Sequence, residues 1–165
     1  MSDIEALRGI PLFDGLTDQQ LGAVSRAARR RKVAAGAVIL EEGGRDDSLY
    51  IVARGSVEVA KRLGLSAESQ LEVAKKTLIR LEAPQFFGEI GLLDDIERSA
   101  TISAHGDCEL LELGRSEWQR LVEEDLALGY RVLHNMAIVL GQRLRRTDRD
   151  VIKLTSALSL ALGNR

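Results

Sequence analysis

Between Val33 and Leu113 the apolar residues come in runs too short for helices, and glycines stand at several of the breaks. VAAGAVILEEGGRDD reads as a turn at Gly36, a strand near 37–41 and a second turn at Gly43 and Gly44. SLYIVARGSVEVAKR reads as strand, turn at Gly55, strand. Leu49, Ile51 and Ala53 alternate with their neighbours, as do Val57 and Val59. Side chains two apart share one face of a strand, so this period marks a sheet. Residues 61–72 fit either a long hairpin tip or a short helix. Strand character resumes at residues 78–81 and ends at Pro84, which lacks the N–H a ladder needs. Residues 101–104 and 109–113 complete the set. Many short strands with glycine turns predict a small barrel or jelly roll.

The flanks have a different period. Residues 3–8 are an expected helix that stops at Gly9 before Pro11, with Leu12 and Phe13 as anchors. T-D-Q-Q places Gln20 at the capping-box position after Thr17. Leu21, Val24 and Ala28 mark the helical face that follows, and the charge run 29–32 reads as its solvated end. Beyond the strands, SEWQRLVEE is a short helix capped by Ser116.

No proline interrupts residues 126–162, so one long helix is expected there. Leu133, Ala137, Leu140, Leu144, Val151, Leu154, Leu158 and Ala161 alternate in steps of four and three, with Thr147 in the one gap. That is a heptad seam. Roughly 35 residues extend about 50 Å, beyond the core of so small a domain. A homodimer through this helix is expected, packing across its own strands being the alternative. Arg143, Arg145, Arg146 and Arg149 lie mostly beside the seam as a solvated face. The predicted fold class is α+β: a β jelly-roll barrel (about 33–114) flanked by N-terminal helices and a long C-terminal helix (helical region about 116–162), one domain over residues 1–165.

At 165 residues, 45% hydrophobic and 29% charged, the chain is composed like an ordinary folded domain. A formal net charge of −2 gives no general attraction for polyanions. No helix-turn-helix unit follows the long helix, so nucleic acid is not an expected partner. The single cysteine, Cys108, allows no disulfide framework and fits a reducing compartment as a buried structural thiol. No apolar run is long enough to span a bilayer, and MSDIEALRGI has no signal-peptide core, so the expected location is the cytoplasm, away from membranes. His105 and His134 lie far apart and lack metal-ligand spacing. No base–nucleophile set is present, so neither an enzyme nor a metal or cofactor is expected.

One stretch, FFGEIGLLDDIERSAT at residues 86–101, carries the chemistry. Gly88 permits a positive φ and close approach of its backbone to a ligand. Successive amides in a tight turn form an anion nest. Arg98 stands at the mouth of the next strand, where a planar guanidinium can grip a phosphate through two parallel bonds. Ser99 adds a hydroxyl. Glu89 is suited to sugar hydroxyls rather than to phosphate. Two readings stand on residue types alone: an anion cradle for a ligand with phosphate and ribose, or turn glycines beside a surface ion pair. The spacing is neither a P-loop nor G-x-G-x-x-G.

The stretch resembles the phosphate-binding cassette of cyclic nucleotide-binding domains. The match runs through Phe87-Gly88-Glu89, Gly91-Leu92-Leu93 and Arg98-Ser99-Ala100-Thr101. PLFDGLTDQQL resembles the family's lead-in helices, and Gly36, residues 43–52 and Gly55 its barrel turns, so residues 10 to about 147 are covered. The resemblance implies a ligand-binding set of Gly88, Glu89, Ile90, Arg98, Ser99, Ala100 and Thr147. Gly88 and neighbouring amides, Arg98 and Ser99 are expected to hold the cyclic phosphate, and Glu89 the ribose 2′-hydroxyl. In bacterial regulators of the family a helix threonine from across the dimer contacts the purine. R-L-x-x-T recurs here at Arg143 to Thr147, about one turn further from the cassette arginine; a polar seam residue that sets helix register is the alternative for Thr147.

The expected ligand is cAMP, with cGMP the second choice. The expected output is movement of the long helix toward an unknown downstream protein, by a free-standing sensor or a piece of a larger assembly. The rival readings are a protein-interaction or dimerisation module with a degenerate pocket, and a sensor of another phosphorylated ligand.

Overall fold

The N-terminal helices begin where side chains satisfy their first free amides. In α1 (Asp3–Arg8) Ser2 and Glu5 form a reciprocal capping box, and in α2 (Asp18–Ala27) Thr17 and Gln20 do the same. Such a cap contributes about 1 kcal/mol. Between them the short 3₁₀ turn Pro11–Phe13 buries Leu12 and Phe13. The structure, a computed structural model, describes residues 2–62, 75–94 and 97–163. The expected hairpin tip or short helix, past Arg62, lies outside the described residues.

The charge run after α2 is not a helix end. It forms strand β1 (Arg29–Val33), whose arginines alternate around a ladder with β8 (Cys108–Leu113). Arg29 and Arg31 pair with Glu112, and Arg30 pairs with Glu109 and Asp3. Charges on an edge strand mimic a solvated helix in sequence, because their glutamate partners lie 79 to 83 residues away.

The remaining strands are β2 (Val38–Leu40), β3 (Leu49–Arg54), β4 (Ser56–Arg62), β5 (Lys75–Glu82), β6 (Gln85–Phe87) and β7 (Thr101–Ala104). They form two four-stranded sheets, β1-β8-β3-β6 and β2-β7-β4-β5, antiparallel throughout. This corrects the expected jelly-roll barrel. Neither sheet closes: β1 and β6 are edges of one, β2 and β5 of the other. The α+β class and the helical flanks stand.

Stacking follows from the alternation in β3. Tyr50 and Val52, with Leu110 of β8, face the second sheet, where they join Ile39, Val57 and Ile102. Leu49, Ile51 and Ala53 face the opposite way, into a core with Leu7, Phe13, Leu21 and Trp118. A strand buried on both faces has no side left for solvent, so the first sheet lies between the helices and the second sheet.

Helix α4 (Arg115–Glu124) follows β8 directly. Its N-cap is Gly114, not Ser116, whose hydroxyl donates to the Glu117 carboxylate instead. Helix α5 (Leu126–Gly163) then runs 38 residues, roughly 57 Å. Its first half is anchored: Leu128, Val132 and Met136 are buried, and Asn135 donates to Leu12 O and Asp14 O. From Gln142 to Leu162 every residue is exposed.

Candidate functional site

The stretch 85–101 crosses from β6, through Gly88 and the single turn α3 (Ile90–Leu93), to the start of β7. Gly88 has φ +80°, and a Cβ there would lie 2.8 Å from Ser48 O. Leu92 anchors α3 in the helical core, whereas Leu93 is exposed. Arg115 closes the turn's far end: its Nε and Nη2 donate to Gly91 O, and Nη2 also to Asp94 O. A cation at carbonyls left open by a helix end is favourable.

Arg98 points inward and is only 7% exposed. Its guanidinium lies against Gly91, where an added Cβ would come within 2.6 Å of Nη1. Any side chain there would displace the guanidinium. Nη1 donates to Gly88 O at 3.0 Å, while Nη2 donates to Ser48 O at 2.7 Å and to the Asp46 carboxylate. Nε is buried with no partner among the described residues. The Arg98 backbone is held by the paired glycines upstream, with Gly43 N–H bonding to Arg98 O and Arg98 N–H to Gly44 O, both at 2.8 Å. The turn read at Gly43 and Gly44 therefore also positions the arginine.

Asp46 joins several groups. It accepts from Arg98, from Ser48 N–H and, at 2.9 Å, from the Tyr50 hydroxyl. Burial pushes its carboxyl up, but the Ser48 N–H, Arg98 and Tyr50 outweigh it and leave the pKa below the ordinary value. Burial and the Asp46 charge push the Tyr50 phenol up to about 12.

Glu89 is buried too, and the long helix reaches it. Arg143 Nη1 donates to its carboxylate, and the guanidinium sits over the Phe86 ring, 5.0 Å from its centroid. The rest of the expected set is more dispersed. Ile90 and Ser99 are exposed and Ala100 half-buried. Thr147 is exposed one turn beyond Arg143, its hydroxyl donating to Arg143 O at 3.1 Å. The structure gathers Gly88, Glu89, Gly91 and Arg98, and does not bring Thr147 to them.

Asp46, Ser48, Arg115 and Arg143 are the neighbours sequence reading missed. In sequence, Arg143 is legible only as the first residue of R-L-x-x-T and as one charge of a solvated face. Asp46 is 52 residues from Arg98, and nothing local marks the pair.

Comparison with known proteins now decides the family. The cyclic nucleotide-binding domain family matches residues 30–125, more than half of the chain. The chain belongs to that family. A cyclic AMP receptor protein of Thermus thermophilus is 34% identical over 145 residues, covering 88% of this chain and 62% of that protein. A cAMP-dependent protein kinase regulatory subunit of Colletotrichum orbiculare is 32% identical over 116 residues, covering 70% of this chain and 27% of that protein. The chain thus spans less than two thirds of either relative. The crystal structure of Thermus thermophilus catabolite activator protein superposes with a TM-score of 0.74 at 34% identity, over 88% of this chain and 63% of that one. Cyclic nucleotide-binding domains are regulatory modules that bind a nucleotide and do not catalyse a reaction on it. Among the described residues of this domain no helix is long and apolar enough to cross a membrane.

Proposed function

We propose that this chain, acting as a single domain, senses a cyclic mononucleotide at the Gly88–Arg98 cassette and reports binding through α5. The carrying observation is the buried Arg98 guanidinium, whose Nε–H has no partner among the described residues. A buried unpaired donor costs about 1–3 kcal/mol, and an anion oxygen relieves it. Arg98, Ser99, Ala100 and the amides following Gly88 take the cyclic phosphate. Glu89 takes the ribose 2′-hydroxyl, and Ile90 borders the sugar.

cAMP is favoured over cGMP, in keeping with the cyclic AMP receptor protein among the relatives. The Glu89–Arg143 pair supports α5 as the responding element, because a sugar hydroxyl arriving at Glu89 alters the bond that ties the helix to the cassette. The ligand shifts the helix only by its difference in affinity for the two positions.

The exposed seam supports a homodimer. Leu144, Val151, Leu154 and Leu158 are each more than half exposed, and the four-three spacing extends back to Leu126 and Tyr130, exposed at 74% and 69%. In such a dimer Thr147 lies on the seam, within reach of the partner's ligand. A second reading, an interaction module with a self-filled pocket, draws on one observation: Arg98 and Glu89 already have partners within the chain.

Calorimetric titration with cAMP, cGMP, AMP and a cyclic dinucleotide, beside Arg98→Ala, separates these readings. Saturable heat with a cyclic mononucleotide, lost in Arg98→Ala, is expected. No heat with either cyclic mononucleotide would sink the sensor reading, and heat only with another ligand would redirect it.

A further inference from the structure

Arg98 presents five N–H hydrogens. Three are engaged: one on Nη1 with Gly88 O, and both on Nη2 with Ser48 O and Asp46. Nε, buried, has none among the described residues. A guanidinium grips an oxyanion through two parallel N–H bonds. The edge shared by Nε and Nη2 is therefore half ready and half occupied. For an anion to take both positions, one acceptor on Nη2 must leave. Ser48 O is main chain at the entry to β3 and is fixed there. The Asp46 side chain is 31% exposed and can turn to water.

We propose that Asp46 is a built-in competitor for the anion at Arg98, and that its displacement sets the affinity of the site. The inference rests on the cyclic-nucleotide reading above. Binding then exchanges a carboxylate–guanidinium pair for a phosphate–guanidinium pair, and only the difference between them appears as affinity. A carboxylate that stayed would also repel the arriving phosphate. The exchange has a path into the fold. Asp46 holds the Tyr50 hydroxyl at 2.9 Å, and Tyr50 stacks on Phe87 with centroids 5.2 Å apart, immediately before Gly88.

The test is calorimetric titration of wild type and Asp46→Asn with cAMP and with cGMP. Asparagine keeps an oxygen for the Ser48 N–H and sets its amide NH2 against the Tyr50 hydroxyl, which can then accept, while the charge is removed. The expected result is binding about two- to fivefold tighter in Asp46→Asn, the scale of one partly exposed ion pair. Equal or weaker binding in the variant overturns the competitor and leaves the sensor reading intact. If neither protein takes up either nucleotide, the sensor reading fails, and the competitor with it. Carbon NMR of wild type provides a measurement independent of the variant's folding. The Asp46 carboxyl resonance moves on saturation with cAMP, and an unmoved resonance overturns the displacement.

Discussion

In the cassette Arg98 and Glu89 are buried and paired inside the chain, whereas residues 142–162 of α5 are exposed throughout. The two regions use different physics. A buried guanidinium must meet its acceptors within tenths of an ångström, so the cassette depends on single atoms: the missing Cβ of Gly91, the positive φ of Gly88. The outer helix offers a stripe of leucines whose attraction depends on area and not on direction. One region suits recognition of a particular ligand. The other suits assembly, where the partner needs only a matching stripe.

The largest expected effect breaks the second region and spares the first. Replacing Leu154 and Leu158 by Asp puts two carboxylates on the seam, and burying an unpaired charge is strongly unfavourable. Self-association should weaken by at least about a hundredfold. Light scattering over a range of concentrations should show monomers for the variant and dimers for wild type, and the monomeric variant should still bind cAMP through Arg98. A wild-type protein that is monomeric throughout would remove the dimer. Next comes Gly91→Ala, whose Cβ would meet the Arg98 guanidinium at 2.6 Å. Cyclic nucleotide binding should fall roughly tenfold or more, since small misplacements of a bidentate donor forfeit its bonds. Unchanged affinity by calorimetry would show that the guanidinium can move aside without loss.

How much of this was legible follows the same division. The capping box at Thr17 and the limits of the long helix are local patterns, and the structure has them as read. The strand at residues 29–33 was not legible, because RRRKV is nearly all exposed and reveals its ladder only through Glu109 and Glu112. Two open sheets and a barrel look alike in sequence for a related reason: counting strands does not say which edges pair. Within the site, Gly88, Glu89 and Arg98 stood out by spacing. Asp46 and Arg143, which occupy them, arrive from a distant loop and a distant helix.

Arg143 connects the two regions, so its removal sharpens the comparison. Arg143→Ala leaves Glu89 buried without its guanidinium. The loss should be about 1–2 kcal/mol, moderated because Arg143 itself is 44% exposed. Urea unfolding of the unliganded protein reads this out. Stability equal to wild type would mean that water replaces the arginine at Glu89 and that the pair does not tie α5 to the cassette.

The smallest effect concerns pH and the Asp46 carboxylate. Burial raises its pKa, but the Ser48 N–H, Arg98 and the Tyr50 hydroxyl together bring it below the ordinary value. The native state thus favours the ionised form more than the unfolded chain does, whose aspartates titrate near about 3.9. The resulting stabilisation is present above that pH and is lost as pH falls through the lower, folded value. Asp46→Asn removes this contribution at every pH. Wild type should therefore unfold at a higher temperature than the variant at pH 7, and the gap should shrink as the pH is lowered through the carboxylate range. A gap independent of pH would assign Asp46's role to hydrogen bonding alone. The same substitution is expected to tighten nucleotide binding, so one residue would hold the unliganded fold together at the expense of the ligand, as a competitor for Arg98 must.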